Sequence, residues 1–200
     1  MPYLPLSIDL RDRTVLVVGG GEVAYRKVRV LLAAAAAVRV VAPAMVPELR
    51  QLAATGAVVA RLGYYTAEDM DNVFLAVAAT NDAGVNECVA ADARQRGILV
   101  AVTDAPERGN CTFPAVLRRG GLEIAVATGG RCPAFAALVR DRLAGVIGDD
   151  YGVALERVAF EREKLLTEGN DSKYNNKIVR LLAARLIAEL SAQEKQRAED

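Results

Sequence analysis

Two features of the sequence carry residue types that can do chemistry at spacings that make chemical sense. The first is Gly19-Gly20-Gly21-Glu22-Val23-Ala24, a G-x-G-x-x-A pattern. In that spacing Gly19 permits a tight turn, Gly21 lets the backbone approach a pyrophosphate, and Ala24 lets a helix pack closely on a sheet. Free N–H groups and the helix dipole at the start of such a helix favour an anion. The second is Asp104, placed just after an apolar run. A carboxylate there serves either as a general base or simply as the Asp that opens a turn before Pro106. Thr128-Gly129-Gly130 reads either as a second anion-facing turn or as a plain strand exit. Arg108, Arg118, Arg119, Arg131 and Arg140 lie around these features in sequence. Each alone reads as a solvated charge; together they can grip carboxylates, because guanidinium forks match them bidentately.

The elements that must hold these residues alternate. TVLVV (14–18) is a β-branched run that ends on the glycines. A helix follows, with Ala24, Val28, Leu31, Leu32 and Ala35 on one face. The pattern then predicts a strand over 38–42, a helix over 45–55, and strands over 57–61 and 72–80. A helix capped by Asn81 or Asp82 runs to Arg96 and stops at Gly97, and a strand covers 98–103. Strand–helix alternation implies right-handed βαβ units and a parallel sheet, so the first ~110 residues read as a doubly wound nucleotide fold. In that fold an acid at the end of the second strand usually binds ribose. Here the strand ends Val41-Ala42-Pro43-Ala44. Ribose contacts fall to backbone near Pro43 and Ala44, and spacing does not separate NAD from NADP.

After Pro114 the pattern changes. A strand is expected over 122–128, a helix from Pro133, and helix throughout from about 149, broken at 167–172, with a solvated charged end at 189–200. The apolar faces of this half lack a core of their own, which predicts a homodimer.

Composition narrows the class. The chain has 200 residues, 52% of them hydrophobic, with 25 basic against 25 acidic side chains, no His and no Trp. A neutral chain gives no support for a nucleic-acid surface. Without His there is no His-ligated metal site and no His base, and no metal site is expected. Cys88, Cys111 and Cys132 are odd in number and form no CxxC, which fits a reducing compartment. Cys88 falls at a core-like helix position; Cys111 and Cys132 fall in loops. No apolar run reaches the ~20 residues of a membrane span. The N-terminus does not read as a signal peptide, and the expected location is cytoplasmic.

The residues also carry a resemblance. Leu4-Pro5, LRDR (10–13), VVGGGEVAYRKV (17–28), VVAP (40–43), AATND (78–82), VTDAP (102–106), FP (113–114) and ATGGRCPAFAALVRDRL (127–143) occur in that order. Over about three quarters of the chain the sequence resembles bacterial precorrin-2 dehydrogenases, including the N-terminal module of siroheme synthase. The resemblance implies a Rossmann-type NAD-binding domain over 1–113, a dimerisation segment over 114–147 and a small helical domain over 148–200. It implies NAD as oxidant, with Gly19, Gly21, Glu22 and Val23 at the phosphates and Pro43 and Ala44 near the adenosine. It gives Asp104 the central catalytic role. The substrate would be precorrin-2, a tetrapyrrole bearing eight carboxylates, contacted by Thr128, Gly129, Arg108 and Arg131. Some relatives also insert iron into sirohydrochlorin; others only dehydrogenate. The competing readings are a non-catalytic, redox-sensing NAD(H) regulator and a bare ferrochelatase, against which the intact glycine pattern argues. Relatives often carry Gly where this chain has Ala35. A left-handed cap there would strain Ala by about 1 kcal/mol, so the first helix is expected to end differently. They often carry Ser at the positions of Thr128 and Cys132.

Overall fold

The computed structural model describes residues 3–167 and 172–199. The chain divides into two compact units, Met1–Phe113 and Pro114–Asp200.

In the first unit, strands β1 (Thr14–Val18), β2 (Ala37–Ala42), β3 (Val59–Leu62), β4 (Leu75–Ala78) and β5 (Leu99–Val102) alternate with helices α1 (Glu22–Ala33), α2 (Pro47–Ala54) and α3 (Ala83–Gln95). The strands form one parallel sheet in the order β3-β2-β1-β4-β5. This is the Rossmann-type arrangement. The β-branched run at β1 sits in the middle, where both faces are covered. Side chains alternate across a strand. Val15 and Val17 therefore pack on one side with Val28, Leu31 and Leu49 from α1 and α2. Leu16 and Val18 pack on the other with Val89, Ala90 and Ala93 from α3. The chain steps outward from β1 to β2 and β3, then crosses back to β4. That reversal opens a crevice at the carboxyl ends of β1 and β4, the usual ligand position in such sheets. At the end of the unit, the Lys27 ammonium lies 4.3 Å from the centre of the Phe113 ring.

The termini of these elements follow from local chemistry. Asp82, not Asn81, caps α3, accepting from the N–H groups of Gly84 (2.8 Å) and Val85 (3.1 Å). Gly97 stops that helix at φ 68°. Helix α1 corrects one expectation. It ends with Ala35 at φ 56°. Ala36 N–H donates to Leu31 O (3.1 Å) and Ala35 N–H to Leu32 O (3.0 Å), the bond pair of a left-handed Schellman end. Alanine occupies the glycine conformation, and the helix does not end differently. The expected strand over 57–61 is shifted, to Val59–Leu62, and those over 72–80 and 98–103 are shortened to their buried centres.

In the second unit β6 (Ala115–Arg119) and β7 (Leu122–Val126) form an antiparallel hairpin through Gly120-Gly121, with Gly120 at φ 55°. Only β7 was expected from the sequence. Helices α4 (Pro133–Val146), α5 (Asp150–Thr167) and α6 (Ser172–Glu199) follow. A Cβ at Gly152 would lie 2.5 Å from Arg119 O, so only glycine lets α5 meet the hairpin turn. Of the expected break at 167–172, residues 168–171 lie outside the described residues, as do residue 200 and the side chains of 193–200 at the charged end. No described helix is long and apolar enough to cross a membrane.

Candidate active site

The glycine turn leaves β1 at the crevice, and its three glycines do different things. Gly19 is buried at φ 131°, donates its N–H to Val41 O (2.9 Å), and would place a Cβ 2.2 Å from Ala79 O. Gly20 accepts from Val46 N–H (2.8 Å), and a Cβ there would lie 1.9 Å from Ala44 O. These two glycines let the turn pass against the loops after β4 and β2. Gly21 is exposed, and a Cβ there would meet nothing within 4 Å. It is the N-cap of α1 and no side chain caps the helix. The first internal bond runs from Tyr25 N–H to Gly21 O (3.0 Å). The N–H groups of Glu22, Val23 and Ala24 thus have no intrahelical partner, and Glu22 and Val23 are exposed beside the free space at Gly21. Uncapped donors, a helix dipole and a backbone without a side chain fit a pyrophosphate. Ala24 is fully buried against the sheet. Pro43 and Ala44 are exposed at the end of β2. Gly63 N–H bonds to Ala42 O (3.0 Å) there. The guanidinium over Gly63 belongs to Arg61, which is held by both carboxylate oxygens of Asp69 and by Tyr64 O.

Asp104 follows β5 on the same carboxyl edge and is exposed. Its Oδ1 accepts from Asn86 Nδ2 at 3.0 Å. Asn86 lies on α3 and is 1% exposed. Its Nδ2 also donates to Thr80 O (3.1 Å), while its Oδ1 accepts from Thr80 N–H (3.2 Å) and Thr80 Oγ1 (2.8 Å). The amide orientation is fixed by chemistry. Two partners of Nδ2 can only accept, and the backbone partner of Oδ1 can only donate. Thr80 in turn adjoins the glycine turn, since its N lies 3.2 Å from where a Gly19 Cβ would be. Hydrogen bonds from Thr80 through Asn86 therefore reach from beside the glycine turn to the Asp104 carboxylate.

The remaining candidates are placed as follows. Arg108 lies in a short 3-10 turn (Pro106–Arg108), 3.1 Å from Glu87 Oε2, in an exposed ion pair. Thr128, Gly129 and Arg131 belong to the second unit, in the turn between β7 and α4. Gly129 and Gly130 have φ 62° and 78°. Thr128 Oγ1 accepts from Cys132 N–H (3.2 Å), and Thr128 O accepts from Arg131 N–H (3.2 Å) and Arg131 Nε (3.3 Å). The cofactor candidates and Asp104 thus share one sheet edge in the first unit, and the turn that carries Thr128, Gly129 and Arg131 lies in the second. Cys88 corrects the sequence reading. It is exposed, because the buried stripe of α3 is Asn86, Val89, Ala90 and Ala93. Cys111 is partly buried, and burial pushes its thiol up to about 11. Cys132 is exposed as the residue before α4.

Sequence reasoning missed Gly20, Thr80 and Asn86. The available signal was an Asn on an otherwise apolar helix face, since a buried amide needs partners.

The family model described as "Putative NAD(P)-binding" matches residues 6–115, and the chain belongs to this family. It is 48% identical over 152 residues to a siroheme synthase of Chromobacterium violaceum, covering 76% of this chain and 32% of that protein. A siroheme synthase of Nitrosomonas europaea is 42% identical over 168 residues, covering 82% and 35%. The chain thus spans about a third of the length of these curated relatives. Among solved structures, "SirC, precorrin-2 dehydrogenase" superposes with a TM-score of 0.76 at 25% identity, covering 95% of this chain and 100% of that one.

Proposed function

We propose that the chain is an NAD-dependent precorrin-2 dehydrogenase acting in siroheme biosynthesis, oxidising precorrin-2 to sirohydrochlorin. The observation that carries the reading is the open, uncapped glycine turn on the same sheet edge as the Asp104 carboxylate. The siroheme synthases and the dehydrogenase found as relatives support the substrate. They do not favour a non-catalytic NAD(H) sensor.

When bound, NAD supplies the hydride acceptor. The N–H groups beside Gly21, at Glu22 and Val23, hold the phosphates, with Gly19 shaping the turn. Pro43 and Ala44 flank the adenosine. Beside the adenosine end, Arg61 is paired with Asp69, and Arg50 donates through Nε to Met45 O. Asp104 accepts the proton that leaves the macrocycle as the hydride departs, so atoms and charge balance. Thr128, Gly129, Arg108 and Arg131 contact the substrate, the arginines through its carboxylates.

The chain works as a cytoplasmic homodimer in this reading. Residues 114–147 form the dimerisation segment and 148–200 the helical domain behind it. Supporting this, Phe135 and Leu138 on α4 are 60% and 68% exposed, a high exposure for large apolar side chains on one helix. Sedimentation tests it; a stable monomer at low micromolar concentration overturns it.

The activity is tested by incubating the protein with precorrin-2 and NAD and following NADH. Asp104→Asn keeps size but takes no proton, and loses on the order of 10²–10⁴-fold in turnover with NAD binding retained. Asp104→Ala loses at least as much. If Asn keeps most activity while Ala does not, Asp104 orients the ring rather than accepting its proton. Wild-type rates in both remove it from the mechanism. Adding Fe²⁺ to the same preparation after oxidation tests iron insertion, for which Asp104 would accept the pyrrole protons.

A further inference from the structure

We propose that Asn86 is the positioning residue for Asp104: its buried side-chain amide fixes the carboxylate oxygen Oδ1 and leaves Oδ2 to take the substrate proton. The inference rests on the reading of Asp104 as proton acceptor and adds a residue that this reading does not contain.

Asp104 lies on a loop after β5 and is exposed. An exposed aspartate on a loop samples several rotamers, which a proton acceptor with fixed geometry must avoid. Asn86 Nδ2 donates to its carboxylate at 3.0 Å. That amide cannot itself wander. It is 1% exposed, and three bonds to Thr80 hold both its ends. Its donor end has two protons and two acceptors, Thr80 O and Asp104 Oδ1. Every hydrogen of the amide is used, and one is spent on the carboxylate. A buried Asn serving only to tie the Thr80 loop would need no partner on a third segment. Because Thr80 adjoins Gly19, the same amide sets the carboxylate relative to the turn that holds the cofactor phosphates.

The test compares Asn86→Ala, Asp104→Asn and the double variant in the precorrin-2 and NAD assay, with NAD affinity measured separately by calorimetry. Asn86→Ala should lower kcat about 10- to 100-fold, leave the Kd for NAD within about twofold, and have no further effect once Asp104 is Asn. A wild-type kcat in folded Asn86→Ala overturns the proposal. So does an equal loss in both backgrounds, which would mean that Asn86 acts through the fold alone. If Asn86→Ala does not fold, Asn86→Asp serves. It keeps the volume and the oxygen that accepts from Thr80, but sets an oxygen against Asp104, and a wild-type kcat there also overturns the proposal. A readout without turnover is the side-chain NH₂ resonance pair of Asn86 in the cofactor-free protein. It should shift in Asp104→Ala, and an unmoved pair counts against the bond. Wild-type turnover in Asp104→Asn overturns the parent reading and the present one together, whereas a dead Asp104→Asn beside a fully active Asn86→Ala overturns only the present one.

Discussion

Gly21→Asp should separate folding from cofactor binding, with the two moving in opposite directions. Gly21 has φ −90° and ψ −174°, a conformation open to any L residue, and its Cβ would meet nothing within 4 Å. No side chain caps α1 at present. An aspartate at this N-cap can accept from Val23 or Ala24 N–H and complements the helix dipole, for a gain of about 0.5 kcal/mol. The same carboxylate then occupies the donors that the pyrophosphate needs. Two unit charges about 5 Å apart at an effective dielectric of about 20 repel by roughly 3 kcal/mol. That corresponds to at least ~100-fold weaker NAD binding. Calorimetric titration with NAD and a thermal melt read the two effects on one sample. Gly20→Ala is the counterpart: its Cβ would lie 1.9 Å from Ala44 O, so the melt should drop by a few kcal/mol as the β2 loop is displaced. Wild-type NAD affinity in a folded Gly21→Asp protein would refute the placement of the phosphates. A melt lowered as far as that of Gly20→Ala would refute the claim that the space at Gly21 is free.

Two further outcomes follow from single residues. Ala35→Gly should stabilise the protein by up to about 1 kcal/mol, because φ 56° strains alanine and the relief exceeds the chain entropy of the new glycine; Ala33→Gly, within the same helix, should instead cost about 0.5–1 kcal/mol, and equal losses in both would contradict the strain. Burial raises the Cys111 thiol from 9.0 to about 11. The folded state therefore keeps a proton that the unfolded state releases, and stability present below pH 9 is lost as pH rises toward 11, by an amount on the order of 2 kcal/mol. Denaturant midpoints from pH 8 to 11 should show this slope, and Cys111→Ala should flatten it between pH 9 and 11.

What the sequence disclosed depended on whether the information was local. β1, the glycine turn and the α3 cap each lie within a few consecutive residues, and each was readable there, the cap as one of Asn81 and Asp82. The strand ends around Asp104 were readable for the same reason. Gly20 was not, because its need for glycine comes from Ala44, on the loop after another strand. Asn86 was not, because its partners Thr80 and Asp104 follow two different strands. Cys88 was misplaced by half a turn, since the polar Asn86, not the thiol, belongs to the buried stripe. β6 was missed because Arg118 and Arg119 close it. Only the structure gives their partners, Glu123 for Arg118 and the carbonyls of Ala144 and Ile147 for Arg119. The alanine run at 33–37 carries no stop signal of its own; the glycine of relatives at Ala35 pointed to a left-handed end, and alanine was wrongly expected to avoid it.

The place of β1 in the sheet has a consequence for the order of assembly. Val15 pairs with Val38 on one side and with Leu75 on the other. The first partner arrives after a single helix. The second arrives only after β2, α2 and β3 have all been made. On a ribosome the β1–β2 pair can close early, while the other edge of β1, an apolar valine- and leucine-rich strand, waits uncovered. Non-local pairings of this kind are slow to form and leave strand edges open to wrong partners. A nascent chain stalled before Leu75 therefore carries a sticky edge rather than half a domain, and its release before β4 emerges would favour self-association over refolding.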